Sequence, residues 1–256
     1  MLSVFKGAVP VAACVISAGC VSFSPFDFGG SAQAPVPTAA EQIDTVIKAK
    51  GAAIIARVAF EKKACAASQA RLRRVVGGKL DLENHVAVEQ ITPEANQSPV
   101  AALTRRLSPG TTVTFNTSEN EAETNEYLKA NPLSFTQIEP GTYVVTWLKC
   151  DHGNGSNIQL GADIPGREDE SRSFIGPIPG ANSIVIEKDQ LIDSGLLNIV
   201  VNAPKPDAPD VKTGRAQAIA TPKEHRDIVR TDLPELFKRL KFITFTAYRG
   251  KLANSG

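Results

Sequence analysis

The stretch GTYVVTWLKC, residues 141–150, decides the fold. Its β-branched and aromatic residues suit a pleated, half-buried surface. Pro140-Gly141 stands directly before it. Proline presets the first turn position and glycine supplies positive φ at the next. Pro-Gly recurs at Pro109-Gly110, Pro165-Gly166 and Pro179-Gly180. The segments ARLRRVV, LDLENHVAVEQI, TTVTFNTS, NSIVIEKD and GLLNIVV have the same β texture. In TTVTFNTS, Val113 and Phe115 fall on one face. Short strands with repeated turn punctuation predict a mainly β protein built as an antiparallel β-sandwich.

Helical patterns flank and interrupt this body. TAAEQIDTVIKAKG reads as an N-terminal helix with Thr38 and Glu41 as capping box, Ile43, Val46 and Ile47 on one face, and Gly51 as stop. AAIIARVAFEKKAC follows as one strand, with Ile55 and Phe60 available for burial. SPVAALTRRL and NEAETNEYLKANP are short helices within the β region. A Pro-rich connector, residues 204–213, leads to a C-terminal strand-helix-helix-strand segment, 214–256. There Thr221-Pro222-Lys223-Glu224 forms a capping box with Pro222 at the first helical position, and Asp232 caps the second helix. Some forty residues are too few for an independent core, so this segment is expected to dock on the sandwich, residues 41–203.

Composition sets bounds. Apolar content is 42%, enough for a core, and the net charge of +1 excludes a strongly electrostatic partner for the whole chain. Four cysteines are present. Cys65 and Cys150 are expected to form a disulfide in an oxidising compartment. A metal or redox role is the alternative, although no C-x-x-C is present.

The N-terminus supplies an address. MLSVFKGAVPVAACVISAG, residues 1–19, carries Lys6 and then a short uncharged run interrupted by Pro10. The run is shorter than the roughly 20 residues of a membrane span and reads as a signal peptide. The residues Ile16-Ser17-Ala18-Gly19-Cys20 resemble a bacterial lipobox, with Ser17 where that pattern prefers Leu. The resemblance implies lipidation of Cys20 by diacylglycerol, with palmitate-type acylation of the new amine. Val11-Ala-Ala-Cys14 fits the short lipobox letter for letter, with a shorter apolar run before it, and Cys14 is the rival anchor. Val21 rather than Asp follows Cys20, which favours the outer membrane. Residues 20–40 read as a flexible tether. Its Phe23, Phe26 and Phe28 suit either the lipid headgroup region or packing on the domain.

The segments EPGTYVVTWLKC and PIPGANSIVIEKDQLIDSGLLNIVV are similar to the prealbumin-like or immunoglobulin-like sandwiches of uncharacterised envelope lipoproteins. That resemblance covers about half the chain and implies no active residues.

Catalytic signals are sparse. No G-x-S-x-G is present. His225 in KEHRD reads as a solvated surface residue, and His85 as a strand-edge residue. CDHGNGSN, residues 150–157, reads as a hairpin loop, with neither the ligand pairs of structural zinc nor the spacing of a calcium loop. GREDESRS and ENEAETNE read as acidic surface segments. Between Lys212 and Lys251 ten Lys/Arg face four acids, and Lys238, Arg239 and Lys241 are candidate contacts to an anionic envelope surface. The expectation is a lipid-anchored, periplasm-facing lipoprotein that works without catalysis, metal or cofactor. It would be a binding or scaffolding module for an envelope protein or polymer, with no nucleic-acid partner. An envelope hydrolase with a site near Asp151 and His152 is one alternative, and a carrier of an apolar ligand is the other.

Overall fold

The structure is a computed structural model that describes residues 39–91, 112–115, 133–152, 156–161, 175–202 and 213–253. These belong to one compact unit, Pro37–Gly256. The leader, the tether and the two internal helical patterns, SPVAALTRRL and NEAETNEYLKANP, lie outside the described residues. So do Thr38 of the first capping box, the side chains of Val113 and Phe115, and the turns at Pro109-Gly110 and Pro165-Gly166.

Two sheets pack into a sandwich. The first runs β12 (Gly214–Ile219), β11 (Leu191–Val201), β1 (Ala52–Phe60), β7 (Leu133–Ile138), β6 (Thr112–Phe115). Beside this row, β2 (Lys63–Ala64) pairs with β1 and β13 (Leu240–Phe242) with β11. The second runs β10 (Ser183–Ile186), β8 (Gly141–Asp151), β3 (Ala67–Val76), β4 (Lys79–Leu80). Here β5 (Val86–Ile91) adds to β3 and β9 (Asn157–Gly161) to β8. Most pairings are antiparallel, but β11 runs parallel to both β1 and β13. Turn chemistry reports hairpins and is silent on strands far apart in sequence, so the parallel pairs had no local signal.

Helices α1 (Ala39–Lys50), α2 (Lys223–Asp232) and α3 (Pro234–Arg239) cover the outer face of the first sheet. The central strand therefore buries both faces. Ala52, Ile54, Ala56 and Val58 face the inter-sheet core with Leu72, Val145, Leu148 and Leu197. Ala53 and Ile55 join the helical layer with Ile43, Val46, Ile47, Val229 and Leu236. Double burial explains why AAIIARVAF reads as an apolar run rather than an alternating one. The α1 face is the one its i, i+3, i+4 pattern gives, and Gly51 ends the helix with φ +90 and its N–H on the Ile47 carbonyl.

Three local expectations are corrected. The β1 strand does not continue to Cys65: Glu61 and Lys62 form a two-residue turn, both at positive φ, where glycine is the usual sequence signal. The turn is held by Asn198, whose side-chain oxygen accepts the Lys62 N–H at 2.7 Å. Helix α2 has Pro222, not Thr221, at its N-cap, with no side-chain capping bond. The Thr221 hydroxyl donates instead to Asp193 Oδ1 at 2.8 Å. Asp232 is the last residue of α2 rather than a cap, and Leu233 precedes α3 with Pro234 in its first turn.

The C-terminal segment docks as expected and does more. After β13, the chain crosses to the second sheet, where Ser183 and Thr246 exchange backbone hydrogen bonds of 2.7 and 2.8 Å. Further on, the Ala253 N–H reaches the Gly78 carbonyl at 2.9 Å. The tail thus straps both sheets and covers part of the β10 edge, which would otherwise present unpaired backbone groups.

Candidate functional site

A cleft of about 350 Å³ opens at the end of the sandwich where β7 turns into β8. Lys50, at the end of α1, contributes one side. Arg74 and the buried Leu72 come from β3, and Tyr143 from β8. Glu139 comes from the β7–β8 turn, and Asp81, Asn84, His85 and Val86 from the approach to β5.

The walls are tied down. Arg74 Nη1 donates to Glu139 Oε2 at 3.0 Å and Nη2 to the Pro140 carbonyl at 2.7 Å. The Tyr143 hydroxyl donates to the Glu139 carbonyl at 3.0 Å. Behind the other wall, the buried Arg73 Nη1 donates to the carbonyls of Asp81 and Leu82 at 3.1 and 2.6 Å. Asp81 Oδ1 accepts the N–H groups of Glu83 and Asn84 at 3.2 and 3.0 Å, which closes an Asx-type turn.

These contacts set protonation. The Asn84 backbone N–H and side-chain amide, with smaller help from Glu83 and Arg73, hold the Asp81 carboxyl below its ordinary value. Burial, reinforced by the charges of Arg71 and Arg73, pushes the His85 imidazole below its ordinary value, so at pH 7 it offers one donor and one acceptor. Burial raises the Tyr143 phenol, which stays a donor. Lys50 and Arg74 balance Asp81 and Glu139, so the lining has no net charge. Titratable groups with perturbed pKa values that converge in a cleft mark a candidate site.

A second polar cluster lies inside the molecule, between the first sheet and α2. Asp193 on β11 receives Arg57 Nη1 and Nη2 in a fork at 2.6 and 3.1 Å, and the Gly195 N–H at 3.0 Å. His225 Nε2 sits 3.6 Å from Asp193 Oδ2. Arg57, Asp193 and His225 are each 1% exposed. A β-bulge builds the cluster: Ile55 faces Asp193 and Arg57 faces Leu196, so Ser194 and Gly195 together oppose Ala56. Burial opposes ionisation of Asp193, but the Arg57 charge, His225 and the Arg57 fork outweigh it and hold the carboxyl well below the usual range. Burial dominates at His225 and pushes its imidazole below the ordinary value, against the pull of Asp193. This cluster joins the C-terminal segment to the sheet, with its charged side chains buried among the described residues.

Cys65 and Cys150 are joined by a disulfide, in the inter-sheet core. His225 is not a surface residue: Lys223, Asp227 and Arg230 occupy the outer side of α2, while His225 and Val229, four apart, face the sheet. His85 lines the cleft. Asp151 ends β8 and pairs with Asn157 across the β8–β9 hairpin. His152 is exposed, with its ring edge-on to Phe60 at 5.5 Å. Among the described residues, Asp193 and His225 form an acid–histidine contact. Lys238 pairs with Glu235 and Arg239 with Asp44, while Lys241 is exposed on β13. The three are not brought together with the cleft. Cys14 and Cys20 lie outside the described residues.

Among the described residues no group of three or more His, Cys, Asp or Glu is placed to hold a metal ion, and no helix is long and apolar enough to cross a membrane. Of the cleft, only the turns had local sequence signals, Pro140-Gly141 before β8 and the Asx-type turn at Asp81–Asn84. The other walls come from strands that sequence spacing does not bring together. Comparison of the chain with protein-family models, curated proteins and solved structures finds no match.

Proposed function

We propose that this is a lipid-anchored lipoprotein of the bacterial envelope, facing the periplasm at the outer membrane and working there as a binding or scaffolding module. The observation that carries the reading is the leader that ends in Ile16-Ser17-Ala18-Gly19-Cys20. In it, Cys20 bears the lipid and residues 20–40 tether the domain. One acyl chain gives marginal attachment, at about 0.8 kcal/mol per buried methylene, and two or more on one residue give stable anchoring. The Cys65–Cys150 disulfide supports an oxidising compartment. A tied-down polar cleft supports binding over scaffolding alone. An apolar carrier would need room between the sheets, where the described side chains instead form one continuous buried cluster.

Fractionation of cells tests this reading. The wild type is expected in the outer-membrane fraction, released by detergent but not by salt, and Cys20→Ala in the soluble or inner-membrane fractions. Wild-type protein in the cytoplasm would refute it.

A further inference from the structure

The end cleft presents charges of both signs. Its cations, Lys50 and Arg74, and its anions, Asp81 and Glu139, come from four separate parts of the chain and converge on one space of about 350 Å³. A purely anionic ligand would meet two carboxylates there, and a purely cationic one would meet two cations. Such like-charge juxtapositions select against the wrong partner. A ligand carrying both charges meets a group of opposite sign at each of its ends. Asp81 and Glu139 keep acceptor capacity beyond their internal bonds, because a carboxylate has about four lone-pair sites. Val86, beside its cross-strand partner Leu72, adds apolar lining to the cleft. His85 adds a donor and an acceptor. The volume lies at the low end of the roughly 300–1,000 Å³ typical of ligand sites, which suits one or two residues rather than a long chain.

We infer that this cleft binds a short zwitterionic peptide unit. Its carboxylate lies toward Lys50 and Arg74, its ammonium toward Asp81 and Glu139, and an aliphatic side chain lies against Val86. The walls are already immobilised by the Arg74–Pro140, Tyr143–Glu139 and Asp81–Asn84 bonds, so little ordering remains for the ligand to drive. The unit has two sources, a free oligopeptide or the peptide side chains of a cross-linked glycan wall, and both present the same chemistry. The inference deepens the binding-module reading and rests on it for what the module binds. It needs no lipid at Cys20.

Calorimetric titration of the full detergent-purified chain with the dipeptide Ala-Leu tests it, alongside N-acetyl-Ala-Leu-amide, which lacks both charges. Saturable binding of Ala-Leu is expected, weaker for the blocked form by about tenfold or more, the effect of about 1.4 kcal/mol. Lys50→Ala and Glu139→Gln, both at exposed positions, are each expected to weaken Ala-Leu severalfold with an unchanged unfolding midpoint. Co-sedimentation with insoluble cross-linked glycan-peptide identifies the polymer as source, and binding of the free dipeptide alone identifies a soluble peptide. Equal affinity for the blocked form, insensitivity to both substitutions, or no binding in either arm overturns the inference. Fractionation reads the address separately, so failure here leaves the envelope placement intact.

Discussion

Asp193→Asn is the sharpest test of how the C-terminal segment is held. The substitution keeps the size of the side chain and removes its charge. In the native fold that carboxylate accepts the Arg57 fork, the Gly195 N–H and the Thr221 hydroxyl. Without it, the Arg57 guanidinium stays 1% exposed with no counter-charge at 2.6 Å. Breaking one partner of a buried pair destabilises by about 3–5 kcal/mol, because the remaining charge is left desolvated. Replacing both partners, Arg57→Met with Asp193→Leu, removes the orphaned charge and should lose less, although Gly195 and Thr221 then lack their acceptor. The coupling between the two positions should exceed about 2 kcal/mol. Equilibrium urea unfolding, followed by fluorescence of Trp147, reads both quantities. Trp147 is the only tryptophan and is 5% exposed beneath the Arg71 guanidinium. A loss under about 1 kcal/mol for Asp193→Asn, or strict additivity, would refute the buried-pair reasoning.

The same cluster predicts a pH dependence. The His225 imidazole is depressed in the fold and titrates near 6.5 when unfolded, so the unfolded chain takes up a proton that the native state refuses. This contribution is therefore complete above about pH 7 and is lost as pH falls through and below the unfolded value, at no more than about 1.4 kcal/mol per pH unit. Urea midpoints should show this slope in the wild type, and a flatter slope in His225→Gln. An identical slope in both would assign it to other groups. Gly195→Ala places a Cβ against the Ile219 carbonyl in a residue at φ +72, and should destabilise by about 1–3 kcal/mol. A neutral result in thermal unfolding would contradict the bulge geometry. Replacing both Cys65 and Cys150 by serine opens a loop of sequence separation 85, and chain-entropy reasoning expects a loss of about 4–5 kcal/mol in urea unfolding. A loss under about 1 kcal/mol would show that the unfolded state is not the main site of its action.

The sequence carried local information well and distant pairing poorly. The α1 face, the β8 strand, the cysteine pair and the strand-helix-helix-strand order at the C-terminus were legible, because each rests on periodicity, turn chemistry or residue count. Thr221 was misread because a hydroxyl before a helix suits a capping bond, and nothing nearby announces a carboxylate 28 positions upstream. His225 was misread because its neighbours are charged. Its i, i+4 spacing to Val229 was the available clue that it faces inward. Arg57 and Asp193 are separated by 136 positions, and each sits in a strand where a charged residue looks like an outward-facing one. Double burial of β1 removes that meaning, and β1 is doubly buried only because helices from both ends of the chain cover its sheet. The cleft was illegible for the same reason: β3, β7, β8 and the end of α1 meet there only once the sandwich has formed.

The proposed envelope anchor rests most directly on Cys20. Cells grown with labelled palmitate, followed by intact-mass measurement of the purified protein, read it in one step. The account predicts label in the wild type, a mature chain beginning at Cys20 with added acyl mass, and loss of label in Cys20→Ala. Label that survives Cys20→Ala would move the anchor to Cys14. A wild-type chain with no label would contradict the lipid anchor and the placement built on it.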